Sequence, residues 1–301
     1  MRKIRLGSRS SRLALAQAEY LQARLRAAFP EVEFDIVRIS TQGDRNRLVS
    51  MGELPGVGFF VKEIESALAA GEADIAVHSL KDVPVELPPE FILAAVPERE
   101  DTRDVLISRG RKLDQLPVGA VVGSDSLRRS FQIRARRPDV EVRSIRGNIE
   151  TRIKAVEEGR VDAVILAAAG LHRLGLETRI DEYLPLTEFL PPPGQAALGI
   201  EVRKNDDFSR ETAGAVNHPP TCLAVTAERS FLRRLGGGCR APIAALGTVE
   251  GDVLTLRGMV ADEAGRNIIS RSLSGTASAA EAVGGALAEM ILEAGANKYI
   301  N

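Results

Sequence analysis

The chain has 301 residues with 40 basic and 41 acidic side chains, and a net charge of −1 excludes the basic surface of a general nucleic-acid or anionic-membrane binder. Aromatic residues make up only 4% and tryptophan is absent, which argues against stacking platforms for single-stranded nucleic acid. No uncharged apolar run approaches a membrane span and the N-terminal segment lacks a signal core, so we expect a cytoplasmic protein with reduced thiols.

Predicted strands and helices alternate along most of the chain, which is typical of an α/β protein. The first strand is predicted at Ile4–Leu6, and Ser10 or Ser11 can cap a helix that ends before Pro30. Apolar runs and periodicity then predict strands over 32–39, 74–78, 105–108, 120–123, 142–145 and 197–202, and helices over 61–68, from 127 and over 149–158.

Two helix-to-strand junctions resemble each other. In residues 67–77 a helix ends at Gly71 and Asp74 enters an apolar strand, and in residues 155–165 Gly159 and Asp162 are spaced in the same way. Two similar α/β lobes would produce this repeat, although chance similarity between such junctions would also explain it.

The C-terminal part has a different pattern. It follows two proline-containing breaks, at 191–194 and 218–220, and continues with a helix that ends at Leu235. Strands are predicted over 244–250, 253–260 and 267–273, followed by an alanine-rich helix over 278–294. Strands that are grouped together before a helix predict a small α+β module.

A cysteine ends the glycine run of this module, in Gly236-Gly237-Gly238-Cys239-Arg240. Glycines let a bulky partner approach the sulfur of Cys239, and Arg240 would favour its reactive thiolate. The residues alone favour neither an attachment site nor an ordinary loop thiol beside a helix cap. Cys222 lies in a helical pattern and is predicted as a small core residue, and no zinc-type spacing is present, so we expect no metal.

Residues 123–154 hold nine basic and four acidic side chains in an otherwise neutral chain. Arg128 and Arg129 follow one predicted helix start, and Arg146 and Arg152 flank a second, which Asn148 can cap. Free backbone N–H groups and guanidinium forks bind anions, so the pattern predicts a polyanionic ligand. The alternative is a solvated helical face. Arg9 opens the first helix in the same style, although serine caps beside it are routine.

The segment His78-Ser79-Leu80-Lys81-Asp82-Val83-Pro84 follows a buried strand, at the end where open α/β sheets bind ligands. Pro84 keeps Val83 extended, so the loop is fixed. Asp82 there could stabilise a cation or move a proton, whereas an ion pair between Lys81 and Asp82 on the surface is the alternative.

Together these motifs resemble the porphobilinogen deaminase (hydroxymethylbilane synthase) family nearly end to end. The matching segments are Ser8–Leu15, His78–Pro84, Ser126–Arg129, Arg146–Asn148, Ala168–Leu174 and Gly237–Cys239. The resemblance implies two periplasmic-binding-protein-like α/β lobes plus a C-terminal α+β domain. The first lobe would comprise residues 1–97 with 197–217, the second lobe 98–196, and the C-terminal domain, which carries the cofactor cysteine, 218–301.

The resemblance implies a transferase that joins four porphobilinogen molecules into hydroxymethylbilane, releasing ammonia at each addition, in tetrapyrrole (porphyrin and haem) biosynthesis. It implies a dipyrromethane cofactor on Cys239 through a thioether and a catalytic carboxylate at Asp82. It also implies cofactor contacts from Lys81, Ser126, Arg128, Arg129 and Arg146, and substrate contacts from Arg9, Ser11, Arg152 and Arg173. The expected partners are porphobilinogen and the growing oligopyrrole, not nucleic acid or membrane, and the expected state is a monomer.

The chain departs from the family pattern in three motifs. Glu53 and Val57 stand in a glycine loop that commonly carries lysines. Asp125 stands in the motif that leads to Arg128 and is expected to point away from the anion site or to cap the helix. Ala196 replaces the last glycine of Gly-Gln-Gly.

Two functions from other classes also fit part of the pattern. A non-enzymatic binding protein with a two-lobed cleft would explain the arginine cluster but not the glycine-flanked Cys239. A cysteine-dependent redox or acyl-transfer enzyme would need a histidine partner for Cys239, and no motif supplies one.

Overall fold

The computed structural model describes residues 2–40, 61–236 and 241–300. Its strands are β1 (Arg2–Arg9), β2 (Val32–Ile39), β3 (Ile75–Ser79), β4 (Phe91–Ala95), β5 (Asp104–Ile107), β6 (Val121–Gly123), β7 (Glu141–Arg143), β8 (Ala163–Ala167), β9 (Glu182–Tyr183), β10 (Leu198–Arg203), β11 (Ile243–Glu250), β12 (Val253–Ala261) and β13 (Ile268–Thr276). Its α-helices are α1 (Arg12–Ala28), α2 (Lys62–Ala69), α3 (Leu127–Arg136), α4 (Ile149–Glu157), α5 (Ala168–His172), α6 (Asp207–Gly214), α7 (Pro219–Leu235) and α8 (Ala280–Glu293).

These elements divide into two compact units, Met1–Glu100 with Ala197–Cys222 and Asp101–Ala196 with Leu223–Asn301. The second unit contains both the second α/β lobe and the C-terminal sheet. The three-domain boundaries given above stay a prediction. Among the described helices, none combines the length and the apolar composition that crossing a membrane requires.

The first unit contains a five-stranded sheet in the order β2-β1-β3-β10-β4. β1 is parallel to β2 and β3, whereas β10 is antiparallel to β3 and β4. Helix α1 packs on this sheet because its apolar side chains recur every three or four residues, and Leu21 and Leu25 are fully buried. Adjacent parallel strands end at the same edge of a sheet, so the turns after β1 and β3 are neighbours.

The second unit repeats this strand order as β7-β6-β8-β5-β9. β6 is parallel to β7 and β8, and β5 is antiparallel to β8 and β9. The correspondence holds strand by strand, and a C-terminal sheet follows it along the chain. The expected class, α/β with two similar lobes and a C-terminal α+β part, is therefore confirmed.

The repeated sequence junction corresponds to a repeated backbone clamp. The N–H of Asp74 donates to the carbonyl of Arg5 at 2.9 Å, and Asp74 Oδ2 accepts from the N–H of Arg5 at 2.9 Å. In the other lobe, Asp162 makes the same two bonds with Val121, both at 2.8 Å. The glycine that ends the preceding helix has a positive φ in both lobes. The prediction of two similar lobes from this repeat is confirmed.

The C-terminal sheet is antiparallel in the order β11-β12-β13, and α7 and α8 cover one face. Phe231 of α7 and Leu287 of α8 are fully buried there. Gly258 permits the close approach, since a Cβ at this position would lie 2.6 Å from the Phe231 ring. Leu246 of β11 packs in a separate cluster with Phe131 of α3, which joins this sheet to the second lobe.

The sequence patterns missed β4, β9, α5 and α6. Two of these elements are too short to show a helical or strand period, since β9 has 2 residues and α5 has 5. Helix α6 has 8 residues, as many as the predicted α2, but its sequence is mostly polar and shows no apolar face. β4 is a short apolar run, Phe91–Ala95, between prolines, and it pairs with β10, which is far away in the sequence.

Candidate functional site

A pocket of the first unit lies where β1 and β3 end. It is lined by Arg9, Ser11, Leu13, Ala14, Gln17, Val61, Val77, His78, Ser79 and Asp82. Ser11 caps α1, because its side chain accepts a hydrogen bond from the N–H of Ala14 at 3.3 Å. The first turn of α1 therefore borders the pocket, and the positive end of the helix dipole favours an anion there.

The predicted catalytic residue Asp82 ends a 3₁₀ turn, Leu80–Asp82, that follows β3 directly. Leu80 is buried, and its N–H donates to the carbonyl of Ala197 at 3.0 Å. Val83 is extended, with φ −85°, as expected for the residue before a proline. The turn therefore holds an exposed carboxylate at the pocket on a fixed backbone, with Lys81 half-buried beside it.

One wall of this pocket belongs to a buried pair that the sequence analysis missed. His78 Nε2 lies 2.8 Å from Glu201 Oε2, and the two side chains are 4% and 0% exposed. Within the described part of the chain, Glu201 Oε1 has no hydrogen-bond partner. Burial and the Glu201 charge raise the pKa of the nearby Glu65. A single acid in the otherwise apolar start of β10 was the signal that could have identified Glu201.

In the second unit, Arg128 and Arg129 lie in the first turn of α3, which Ser126 caps. Arg128 Nη2 donates to Asp104 Oδ2 at 2.7 Å, and Arg129 Nη2 donates to Asp104 Oδ1 at 2.8 Å. All three residues are buried. Burial alone would raise the pKa of the Asp104 carboxyl, but the two arginine charges outweigh burial and hold this pKa far below its ordinary value. Both guanidinium groups thus neutralise an internal carboxylate.

The other donor atoms of these two arginines are only partly used within the described residues. Arg128 Nη1 donates to the carbonyl of Leu190 at 2.7 Å, and Gln195 Nε2 donates to Asp104 Oδ1 at 3.0 Å. The Nε atoms of Arg128 and Arg129 are buried, and no acceptor among residues 2–40, 61–236 and 241–300 satisfies them. Buried donors without acceptors are uncommon, so these atoms fit an anionic group from outside the described chain.

Arg173 is half-buried, and its Nη2 donates to the carbonyl of Ala196 at 2.6 Å. Ala196 has a φ of 69°, in the left-handed region that favours glycine. The alanine that replaces the family's glycine therefore stands at a position where its Cβ is unfavourable.

The second helix start, at α4, carries Arg146 and Arg152. Asn148 caps α4 by accepting from the N–H of Thr151 at 2.8 Å, as predicted. Arg152 Nε donates to the carbonyl of Gly147 at 3.0 Å. Arg146 is half-buried, as is Arg152. Two predicted ligand arginines therefore flank one capped helix start, which carries a positive dipole.

The expectation that Asp125 could cap α3 was wrong, because Ser126 is the cap. The alternative, that its side chain points away from the anion site at the start of α3, stays a prediction. Asp125 Oδ2 lies 3.4 Å from Arg146 Nη2. The turn before α3 therefore directs a negative charge at an arginine predicted to bind ligand.

Several expected residues lie outside the described ranges, namely Glu53, Val57 and Cys239. Gly236, the last described residue before the cysteine loop, has a φ of 72° at the end of α7, which is typical of a helix C-terminus. Cys222 lies in the first turns of α7 and is half-buried. Among the residues that the structure describes, no group of three histidine, cysteine or acidic side chains could hold a metal ion.

Buried polar residues that fix the site were not found from the sequence. Asp104 and Gln195 support the arginines of α3, and Glu228 of α7 is fully buried. Glu228 accepts from the N–H of Gly194 at 2.6 Å and from the N–H of Gly247 at 2.8 Å. An acid within an apolar strand or helix pattern was the available signal in Asp104 and Glu228, but its partner cannot be identified without the fold.

Two family models match the chain. "Porphobilinogen deaminase, dipyromethane cofactor binding domain" matches residues 4–211, and "Porphobilinogen deaminase, C-terminal domain" matches residues 222–293. The first match covers more than half of the chain and contains the pocket and the arginines of α3 and α4. The second contains the segment with Cys239.

The relatives agree with these matches. A porphobilinogen deaminase of Chromobacterium violaceum is 48% identical over 301 residues, covering 100% of this chain and 97% of that protein. One of Geobacter metallireducens is 48% identical over 299 residues, covering 99% and 94%. Among solved structures, a TRAP periplasmic solute binding protein from Desulfovibrio salexigens is 14% identical, with a TM-score of 0.43 and coverage of 72% of both chains.

Proposed function

The chain belongs to the porphobilinogen deaminase family and polymerises porphobilinogen into hydroxymethylbilane, and we propose that Asp82 is its catalytic carboxylate and Cys239 its point of cofactor attachment. The observation that carries the catalytic part is the pocket that Asp82 shares with Arg9 and Ser11. A carboxylate and two anion-binding groups in one pocket suit a substrate that becomes cationic and carries carboxylates.

Asp82 would act electrostatically. Each porphobilinogen ring carries an acetate and a propionate, and loss of ammonia leaves positive charge conjugated with the ring nitrogen. A carboxylate that is already fixed near this charge lowers the barrier, because no reorganisation is needed as the charge develops. The 3₁₀ turn and its bond to Ala197 supply that fixation.

Arg9, Ser11 and Lys81 would bind ring carboxylates on the side of Asp82. Arg9 and Ser11 stand at the start of α1, where the helix dipole adds to the guanidinium charge. Lys81 shares the turn with Asp82. A carboxylate held by these groups orients the ring nitrogen of the same substrate toward Asp82, which reduces the entropy lost on reaching the transition state.

In the second unit, Ser126, Arg128, Arg129, Arg146, Arg152 and Arg173 would bind carboxylates of the cofactor and of the growing oligopyrrole. Their present partners differ. Arg128 and Arg129 each donate to Asp104 through Nη2, and each has a buried Nε without an acceptor among the described residues. Arg146 and Arg152 are half-buried at the start of α4. We propose that Arg146 and Arg152 release and rebind ring carboxylates during elongation, whereas Arg128 and Arg129 keep their bonds to Asp104.

The residues present fit a dipyrromethane group, because the donor set consists of guanidinium, ammonium and hydroxyl groups and includes two buried Nε atoms without acceptors among the described residues. When bound, this cofactor supplies a covalently held pyrrole end to which substrate units are added. We propose a thioether to Cys239, since glycines beside a cysteine in the sequence leave room for a bulky partner. Cys222 is the other cysteine; it lies within helix α7 and has no glycine beside it.

The two alternative functions make different predictions. A non-enzymatic binding protein would release neither ammonia nor hydroxymethylbilane, and a redox or acyl-transfer cysteine enzyme would not carry a permanent pyrrole. As the family resemblance implies, we propose that the chain acts as a monomer in the cytoplasm. Size-exclusion chromatography with light scattering measures the oligomeric state.

Turnover of porphobilinogen by Asp82→Asn tests the catalytic assignment. We expect the variant to retain its cofactor and to lose activity by about 100-fold or more, since one group that stabilises transition-state charge is removed. Glu72→Gln, which removes an exposed carboxylate of the same unit outside the pocket, should keep wild-type turnover. Near-normal turnover by Asp82→Asn would assign the catalytic role to another residue.

A further inference from the structure

The carboxylate of Asp125 occupies a specific place in the basic cluster of the second unit. Its Oδ1 accepts a hydrogen bond from Ser144 Oγ at 2.6 Å, and its Oδ2 lies 3.4 Å from Arg146 Nη2. The side chains of Asp125 and Arg146 are 20% and 32% exposed. Both oxygens thus have partners, while water can still reach the pair.

The surroundings of Asp125 are strongly cationic. Burial, together with the charges of Arg129 and Arg146, lowers the pKa of Arg152, whereas Asp125 raises it. Asp125 therefore acts on both arginines that flank the start of α4. Asp104, which is bound to Arg128 and Arg129, is fully buried. Asp125, in contrast, meets Arg146 where solvent, and so a ligand, can approach.

A capping role does not explain this geometry. Ser126 caps α3 through the N–H of Arg129, and Asn148 caps α4 through the N–H of Thr151. Asp125 accepts from Ser144 and faces Arg146 instead, which are contacts to the loop before α4. A ligand carboxylate that approaches Arg146 has the same charge and the same preferred geometry as this side chain.

We propose that Asp125 is an internal competitor for the ligand carboxylate at Arg146 and Arg152, so that each ring carboxylate must displace it and is released again when it returns. This inference rests on the proposed function, which places oligopyrrole carboxylates at these arginines. Removing the charge of Asp125 should tighten anion binding at the α4 start. An ion pair with this exposure is weak, so the expected gain in affinity is about two- to fivefold.

Steady-state kinetics with porphobilinogen test the proposal on the holoenzyme. Asp125→Ser and Asp125→Asn should lower KM by about two- to fivefold with kcat unchanged or reduced, because ground-state binding tightens and release slows. Asp125→Glu, which keeps the charge, should retain a KM nearer the wild-type value. Glu141→Gln is the matched control, since it removes one negative charge from an exposed pair with Arg143 in the same lobe, and its KM should not change.

A second measurement does not depend on turnover. Inorganic sulfate should raise the thermal unfolding temperature, and half of the effect should require about two- to fivefold less sulfate in Asp125→Ser than in wild type. In an Arg146→Gln background, Asp125→Ser should change the sulfate dependence less, because the guanidinium for which Asp125 and the anion compete is absent.

The outcomes distinguish a failure of the Asp125 proposal from a failure of the proposed function. Unchanged KM and unchanged sulfate dependence in both neutral variants would overturn the proposal, as would equal effects from Asp125→Glu, which would indicate loop geometry rather than charge. If no variant, wild type included, consumed porphobilinogen, the proposed function would fail, while the sulfate measurement would still decide whether Asp125 competes with anions.

Discussion

Asp104 and Arg128 form a nearly dry ion pair, with Oδ2 and Nη2 separated by 2.7 Å and the two side chains 0% and 4% exposed. This pair sits at the start of β5 and in the first turn of α3, so it joins the two elements from inside the second lobe. Sequence alone favours a ligand-binding role for Arg128. The structure adds a structural role, because loss of this arginine would leave Asp104 buried with one charge partner fewer.

Arg128→Leu should therefore lower the free energy of unfolding as well as activity. Removing one partner of a buried pair costs about 3–5 kcal/mol. Urea unfolding of the purified protein measures this change. Arg136→Leu is the control, because Arg136 is 43% exposed in its pairs with Asp114 and Glu188, and should cost less than about 1 kcal/mol. Wild-type stability in Arg128→Leu combined with lost activity would contradict the structural role.

Asp104 should also make stability depend on acid pH. Its carboxyl pKa is lowered in the folded protein from an ordinary value of 3.8. A depressed folded pKa gives stability that is fully present above the unfolded pKa and is lost as the pH falls toward the folded pKa.

The unfolding free energies of wild type and Asp104→Asn should thus differ by a constant amount between about pH 5 and 7 and converge below about pH 4. Urea unfolding at each pH gives both values. Asp207→Asn, in an exposed pair with Arg210, serves as the control and should follow wild type throughout. A difference that stays constant down to about pH 3 would show that Asp104 keeps an ordinary pKa in the folded state.

Ala196 should be a site where glycine stabilises the protein. Its φ of 69° places an L side chain in the left-handed region, and the carbonyl that Arg173 binds would remain after substitution. Ala196→Gly should raise the free energy of unfolding by up to about 1 kcal/mol, since relief of this strain exceeds the added flexibility of the unfolded chain.

The neighbouring Ala197→Gly provides the comparison, because Ala197 is also buried and has no positive φ. It should destabilise by about 0.5–1 kcal/mol. Thermal or urea unfolding of the two variants gives the sign of each effect. Equal destabilisation by both substitutions would show that Ala196 is not strained.

Local signals in the sequence were sufficient for much of the fold. Ser11 and Asn148 cap the helices for which they were considered, and the junctions at Asp74 and Asp162 correspond to the same clamp in both lobes. These features depend on a few neighbouring residues, so they appear in the sequence. The position of β10 between β3 and β4 depends on pairing with distant chain, and no local pattern contains it.

The site was predicted by residue type but not by partner. Arginines at a helix start indicate anion binding, yet whether a given guanidinium meets a ligand or an internal carboxylate depends on tertiary contacts. Arg128 and Arg146 illustrate this, because one is committed to Asp104 in the interior and the other faces Asp125 near solvent. The buried pair of His78 and Glu201 likewise joins residues that are far apart in sequence.

Cys239 remains the central assignment, and the intact mass of the purified, active protein tests it most directly. We predict a mass higher than that of the 301-residue chain by one dipyrromethane. Cys239→Ser should lose the added mass, and Cys222→Ser should keep it. A mass of the bare chain in active protein, or loss of the added mass on Cys222→Ser with retention on Cys239→Ser, would contradict the account.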